Sequence, residues 1–361
     1  MIVRWGRTAA LALALGGRTA ALALALALSS CGGTSTPPQV QGRGTDAVVV
    51  EDFTVPAKDS DLPLFIRNKH PAEYYDFRPE RTVLFLHGAT FPGEATFDLQ
   101  LDGTSWLDWM ARRGYDVYVL DVRGYGKSGR PQSMARPAEE GAPAATTAEA
   151  MLDVAKAIDF ITSRRNVPRV TLVGWSWGAT LAGLYATQTV DKVERLVLYA
   201  PQWLRDGETP PDLGKLGAWR TVRLAQVREH WLKSIPESRR KDIVPAHWLN
   251  AWSEAMRASD PGAATDDTLR VPNGVVADAL TTWARHLAPW QPEKVPVPTL
   301  VVQGEWDQDN PPAMGLAVFA RLSKAPQRRY VLLGEATHSA MMERNREQLF
   351  RTVQGFLEER F

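Results

Sequence analysis

The stretch that most restricts what this chain can become is VTLVGWSWGATLAGLYA, residues 170–186. An apolar run ends at Ser176, with Gly174 and Gly178 two positions away on either side. A strand that turns straight into a helix crowds its own backbone, and only small residues fit beside the tip. The following segment carries Gly178, Ala179, Ala182 and Gly183, which lets a helix pack closely on a sheet. The pattern predicts a nucleophile elbow that presents the Ser176 hydroxyl at the carboxyl end of a strand. An ordinary tight turn would not require this combination of strand, glycines and small-residue helix.

The flanking chain supports that placement. TVLFLHG (82–88), YDVYVLD (115–121), RVTLVG (169–174), VERLVLYA (193–200), VPTLVVQG (297–304) and RRYVLLG (328–334) read as strands. Helical segments lie between them, near 105–114, 146–165, 177–188 and 312–323, with a last one near 340–360. AVVVEDFTV and LFIRN read as two earlier strands, and His70 as a loop residue before a proline. The strands are apolar on both faces, as in a sheet covered by helices on both sides. Their alternation with helices predicts an α/β fold with a mostly parallel, doubly wound sheet. The alternation stops from 203 to 290, a block with Trp203, Trp219, Trp231, Trp248, Trp252, Trp283 and Trp290. That block reads as mainly helical, a cap inserted over the carboxyl edge where such sheets bind ligands. The expected organisation is a core of 47–202 and 291–361 with a helical cap at 203–290.

A serine hydroxyl needs a base and an orienting acid. VVQGEWDQDNPP puts Asp307 just past one strand, and LLGEATHSAMM puts His338 just past the last. The chain order Ser176, Asp307, His338 is that of the α/β-hydrolase fold. With LHG, DVRGYGKSGRP, the elbow, GEWDQDNP and GEATH in that order, residues 47–361 resemble the α/β-hydrolase superfamily, and a lid-containing serine esterase within it. The resemblance implies Ser176 as nucleophile, His338 as general base and then acid, and Asp307 as its orienter. Asp309 is the alternative acid, but the family's spacing from Gly304 to Pro311 selects Asp307. It also implies an oxyanion hole from the backbone N–H groups of Ala89 and Trp177, and a structural role for DVRGYGKSGRP, with Asp121 and Arg123 as polar partners. His87 would shape the oxyanion loop. His230, His247 and His286 fall in the cap. No two of the six histidines have metal-ligand spacing, so neither metal nor cofactor is expected.

The N-terminus carries its own signals. GRTAALALAL (6–15) is nearly repeated at 17–28, with Arg4, Arg7 and Arg18 and no acid in the first thirty residues. This is the pattern of a secretory signal. LSSC (28–31) resembles the lipobox of bacterial lipoproteins, which implies a signal peptide over 1–30 and lipidation at Cys31, the chain's one cysteine. Gly16, Gly17 and Arg18 divide the apolar run, leaving each part short of the ~20 residues that span a bilayer. GGTSTPPQVQGRGT then reads as part of a flexible tether over 31–46. The expected location is the bacterial envelope, anchored to membrane through the lipid and facing the periplasm or the cell surface. A formal charge of +1, slightly negative without the basic leader, gives no case for nucleic acid.

The expected substrate is a small-molecule carboxylic ester, small or aromatic, with Trp175, Trp177 and Trp203 as pocket residues. Serine at 176 argues against haloalkane dehalogenases and epoxide hydrolases, which resemble this fold but carry Asp there. Prolyl aminopeptidases carry HGGPG where this chain has HGATFPG. An amidase or aminopeptidase, a thioesterase or a lactonase of the same fold is the alternative, and a catalytically idle ligand-binding lipoprotein is a second. The cap arginines, Arg205, Arg220, Arg223, Arg228, Arg239 and Arg240, could grip a substrate carboxylate; a solvated helix face is the plainer expectation.

Overall fold

The apolar runs form the middle of one twisted sheet. The computed structural model describes residues 33–360 apart from 37–38, 42–45, 74–75, 206–213, 261 and 263–266. The expected signal peptide and Cys31 lie outside the described residues. In chain order the strands are β1 (Thr34–Ser35), β2 (Gln39–Gln41), β3 (Val48–Pro56), β4 (Pro63–Pro71), β5 (Thr82–Leu86), β6 (Asp116–Asp121), β7 (Val170–Trp175), β8 (Val193–Tyr199), β9 (Trp219–Arg223), β10 (Thr268–Pro272), β11 (Thr299–Gly304) and β12 (Arg328–Leu333). The main sheet runs β1-β3-β4-β6-β5-β7-β8-β11-β12, with β2 also on β3. β3, β4 and β6 pair antiparallel, and every pair from β6 through β5, β7, β8 and β11 to β12 is parallel.

The burial explains the arrangement. Every residue of β5, β6, β7 and β11 is buried, because helices cover both faces. Thr147–Arg165 begins at a capping box, with Thr146 and Glu149 bonding each other's backbone N–H, and ends on Asn166 in the left-handed conformation. Trp177–Gln188 follows β7 without a linker. Pro312–Arg321 and Arg346–Glu358 complete the C-terminal half.

Four sequence expectations need correction. Within the expected tether, β1 and β2 pair antiparallel with β3, because the free edge of β3 offers unpaired N–H and C=O groups that these segments complete. His70 lies inside β4, which extends to Pro71, so it is a sheet residue. The last helix starts at Arg346, after a short 3₁₀ turn at Ala340–Met342. The block between β8 and β11 is not only helical. β9 and β10 form an antiparallel ribbon, from Trp219 opposite Pro272 to Arg223 opposite Thr268. WRTVR mixes arginine with apolar residues on both faces, and TLRVP alternates over only five residues, too short a run to stand out in the sequence.

The rest of the block, where described, is mainly helical, and its tryptophans are mostly core. Ala246–Ser259 turns Trp248, Trp252 and Met256 inward at four-residue spacing. Trp252 meets Trp231 of the helix Leu224–Lys233 at 6.0 Å and Phe91 of the loop after β5 at 5.6 Å, both edge to face. The cap is thus seated on the core by packed aromatic rings.

Candidate active site

Ser176 stands between β7 and its helix with φ +56° and ψ −117°, a backbone region that side chains rarely adopt. Two glycines make the turn possible. A Cβ on Gly174 would lie 2.3 Å from the carbonyl oxygen of Gly178, and one on Gly178 would lie 2.1 Å from that of Leu86. Neither distance is tolerable, so a larger residue at 174 would push the helix off the turn and one at 178 would push it off β5. The Ser176 N–H donates to the carbonyl of Tyr199 on neighbouring β8, which fixes the elbow to the sheet.

Asp307 and His338 follow the ends of β11 and β12. His338 Nδ1 lies 2.9 Å from Asp307 Oδ2. The same Oδ2 accepts from Gln303 Nε2 at 2.8 Å, and Oδ1 accepts from the Asn310 N–H at 2.8 Å. The buried carboxylate is therefore fixed in place by three partners. Burial alone would push the His338 imidazole down, but the charge and hydrogen bond of Asp307, with Asp309 adding to them, raise it above its ordinary value. Ser176 Oγ accepts from Asn310 Nδ2 at 3.3 Å, and that amide also donates to the carbonyl of Ala200. Asp309 lies near His338 but pairs with His230 of the cap at 2.9 Å. Among the described residues, Asp307, Asp309 and His338 are one trio whose ligand atoms, within 4.8 Å of one another, could hold a metal. Those atoms already serve each other and His230.

Ser176, His338 and Asn310 line a cleft of about 550 Å³ under the cap, with Ala89, Trp175, Arg220, His230 and Trp231 among its other walls. That volume suits a small organic ligand. The N–H groups of Ala89 and Trp177 donate to no acceptor among the described residues, and Trp177 is the first residue of its helix, where such a group is free. His87 plays a structural part. Its Nε2 accepts from the Val122 N–H, and burial holds its imidazole down at about 4. In DVRGYGKSGRP, Asp121 accepts the N–H groups of Glu94 and Lys127, and Arg123 pairs with Asp153 and Asp59.

The three tryptophans expected in the pocket are placed differently. Trp175 lines the cleft, lies 5.2 Å from the His338 ring and donates its indole N–H to the His338 carbonyl at 2.9 Å. Trp177 does not line it. Opening the helix, it points into the core and donates to Thr147 Oγ1. Trp203 does not line it either, being packed edge to face on Trp290 at 5.3 Å.

Sequence reasoning missed Gln303, Asn310, Tyr199 and Glu343. Tyr199 donates its hydroxyl to the His338 carbonyl at 2.8 Å and accepts from the Ala340 N–H. A glutamine inside the buried run TLVVQG was the one available signal, since a buried amide must find partners.

Comparison with known proteins agrees with this architecture. The chain matches the family described as serine aminopeptidase, S33, over residues 78–345. It is 27% identical over 175 residues to a probable proline iminopeptidase of Leptolyngbya boryana, covering 48% of this chain and 47% of that protein. It is 27% identical over 198 residues to a pimeloyl-[acyl-carrier protein] methyl ester esterase of Neisseria meningitidis, covering 53% and 57%. The chain thus spans about half the length of these curated relatives. Among solved structures, a hydrolase from Pseudomonas aeruginosa aligns with TM-score 0.58 at 19% identity over 85% of this chain and 98% of that one. A thermophilic esterase from Thermogutta terrifontis aligns with TM-score 0.56 at 19% identity over 84% and 97%. With the strained serine elbow on a mostly parallel sheet and a family match across most of its length, the chain has the α/β-hydrolase fold and belongs to the serine aminopeptidase S33 family.

Proposed function

We propose that the protein cleaves carboxylic esters through an acyl-enzyme formed on Ser176. The observation that carries the reading is the Asp307–His338 hydrogen bond opening onto the same cleft as the elbow serine. Attack begins when Ser176 Oγ leaves Asn310 and turns to His338 Nε2, which takes its proton. Oγ bonds to the ester carbon, and the carbonyl oxygen becomes an oxyanion facing the N–H groups of Ala89 and Trp177. Asp307 stabilises the imidazolium and keeps Nδ1 as the donor. Collapse breaks the bond to the alcohol, and His338 hands the proton to the departing oxygen. Water, deprotonated by His338, then releases the acid and restores Ser176.

A second reading is hydrolysis at peptide N-termini, supported by the family description and the Leptolyngbya relative. Such a substrate brings an ammonium group. The cleft's lining carboxylate, Asp309, is already paired with His230, and Arg205, Arg220 and Arg223 stand beside it. That charge balance favours esters. Thioesterase and lactonase activity need the same machinery, and an idle binding protein would need none of it. For location, we propose that Cys31 carries lipid and holds the enzyme at the bacterial envelope.

The test is turnover of p-nitrophenyl esters from acetate to laurate by residues 32–361. Short chains are expected to be cleaved best, and Ser176→Ala to lose on the order of 10⁴-fold or more in kcat. Full activity in that variant would sink the acyl-enzyme. Failure on every ester would transfer the weight to amides and thioesters.

A further inference from the structure

Arg220 is the polar group in the cleft whose position is hardest to explain by folding alone. It sits on β9, not on a solvated helix face, and lines the cleft with Ser176 and His338. Its Nη1 donates to the carbonyl of Pro272 at 2.7 Å and to Asn273 Oδ1 at 3.3 Å. Its Nη2 donates to Thr90 Oγ1 at 3.1 Å. All three acceptors are neutral, and among the described residues no carboxylate pairs with it. Burial pushes its pKa down, with only the Tyr125 phenol acting against that, yet a guanidinium remains charged. A cation taken from water without a counter-ion is costly.

The hydrogen-bond inventory points to what would complete it. Three of its five N–H groups are used, which leaves Nε–H and one on Nη2. Those two nitrogens form the side of the guanidinium across which a carboxylate docks with two parallel bonds. Thr90, its partner, directly follows Ala89. An anion held there would lie beside the expected oxyanion position, within the reach of a short acyl chain. Arg205 and Arg223 in the same lining add positive charge against the one carboxylate of Asp309.

We propose that Arg220 is a substrate-binding residue and that the cleft selects esters bearing a free carboxylate, the monoesters of short dicarboxylic acids. The inference rests on the ester-hydrolase reading above. The competing explanation is that Arg220 merely braces Thr90 and the oxyanion loop.

The test compares monoethyl glutarate with ethyl pentanoate, which differ only in carboxylate against methyl at the far end, by following ethanol release. The wild-type protein is expected to favour the monoanion in kcat/KM by about 10- to 100-fold, the range of a charge-assisted pair of bonds. Arg220→Gln is expected to collapse that ratio, mainly through KM, and Arg220→Lys to restore part of it. No preference in the wild type, or an equal loss on both esters in Arg220→Gln, would overturn the assignment. Calorimetry of monoethyl glutarate on Ser176→Ala supplies a readout without turnover. Binding that disappears in Ser176→Ala/Arg220→Gln supports the anion site even if ester cleavage fails. Absence of binding in Ser176→Ala defeats it, whatever the enzyme hydrolyses.

Discussion

The indole N–H of Trp231 in the cap donates to the carboxylate of Glu343 at 2.9 Å, and the same carboxylate accepts the Thr337 hydroxyl and, at 3.2 Å, the Thr337 N–H. Thr337 immediately precedes His338. One fully buried carboxylate therefore joins the cap to the loop that carries the imidazole. Burial raises its pKa in spite of these donors.

Glu343→Gln keeps the volume but turns an NH₂ toward at least one of those donors. An unsatisfied buried group costs about 1–3 kcal/mol. We expect Tm to fall by several degrees and kcat to fall with it, measured by thermal unfolding and ester turnover. Unchanged Tm and kcat would show that cap and loop are held independently.

Asp307 and Asp309 separate cleanly by substitution. Asp307→Asn should cost on the order of 10⁴-fold in kcat, because the imidazole loses both its tautomer and its counter-charge. Asp309→Asn should cost less than about tenfold, since its partner is the half-exposed His230. Equal losses would transfer the orienting role to the pair of carboxylates.

The pH profile follows from the raised pKa of His338. The base must be neutral, so kcat/KM should fall as pH drops through that raised value, with the acid limb above the ordinary histidine position. His87, held down at about 4, is neutral throughout and contributes nothing to this limb. An acid limb at or below the ordinary value would mean that Asp307 does not control the titration.

Cys31→Ser tests the envelope proposal. In cells the wild-type chain should incorporate labelled palmitate and sediment with membranes, and the variant should lose the label and appear in the soluble fraction. A variant that still sediments would place the anchor elsewhere.

The elbow could be read from sequence because its constraint is local. Gly174 and Gly178 are each excluded from being larger by backbone atoms within the turn or on β5. The supports of the site could not be read that way. Trp231 and Glu343 are 112 positions apart and Ser176 and Asn310 are 134 apart, so no spacing rule links them. Arg220 was expected on a helix because WRTVR has no clean apolar face; the ribbon that holds it is specified by pairing with β10. Trp177 was expected in the pocket because it adjoins the nucleophile, but its ring is fully buried and its indole N–H meets Thr147, far off in sequence.

The left-handed backbone at Ser176 has an evolutionary side. Holding a non-glycine residue at φ +56° costs on the order of 1–3 kcal/mol, and glycine occupies that region freely. Ser176→Gly should therefore be inert yet unfold at a Tm equal to or above the wild type. Selection for stability alone would favour glycine here, so the elbow keeps its serine against a stability cost.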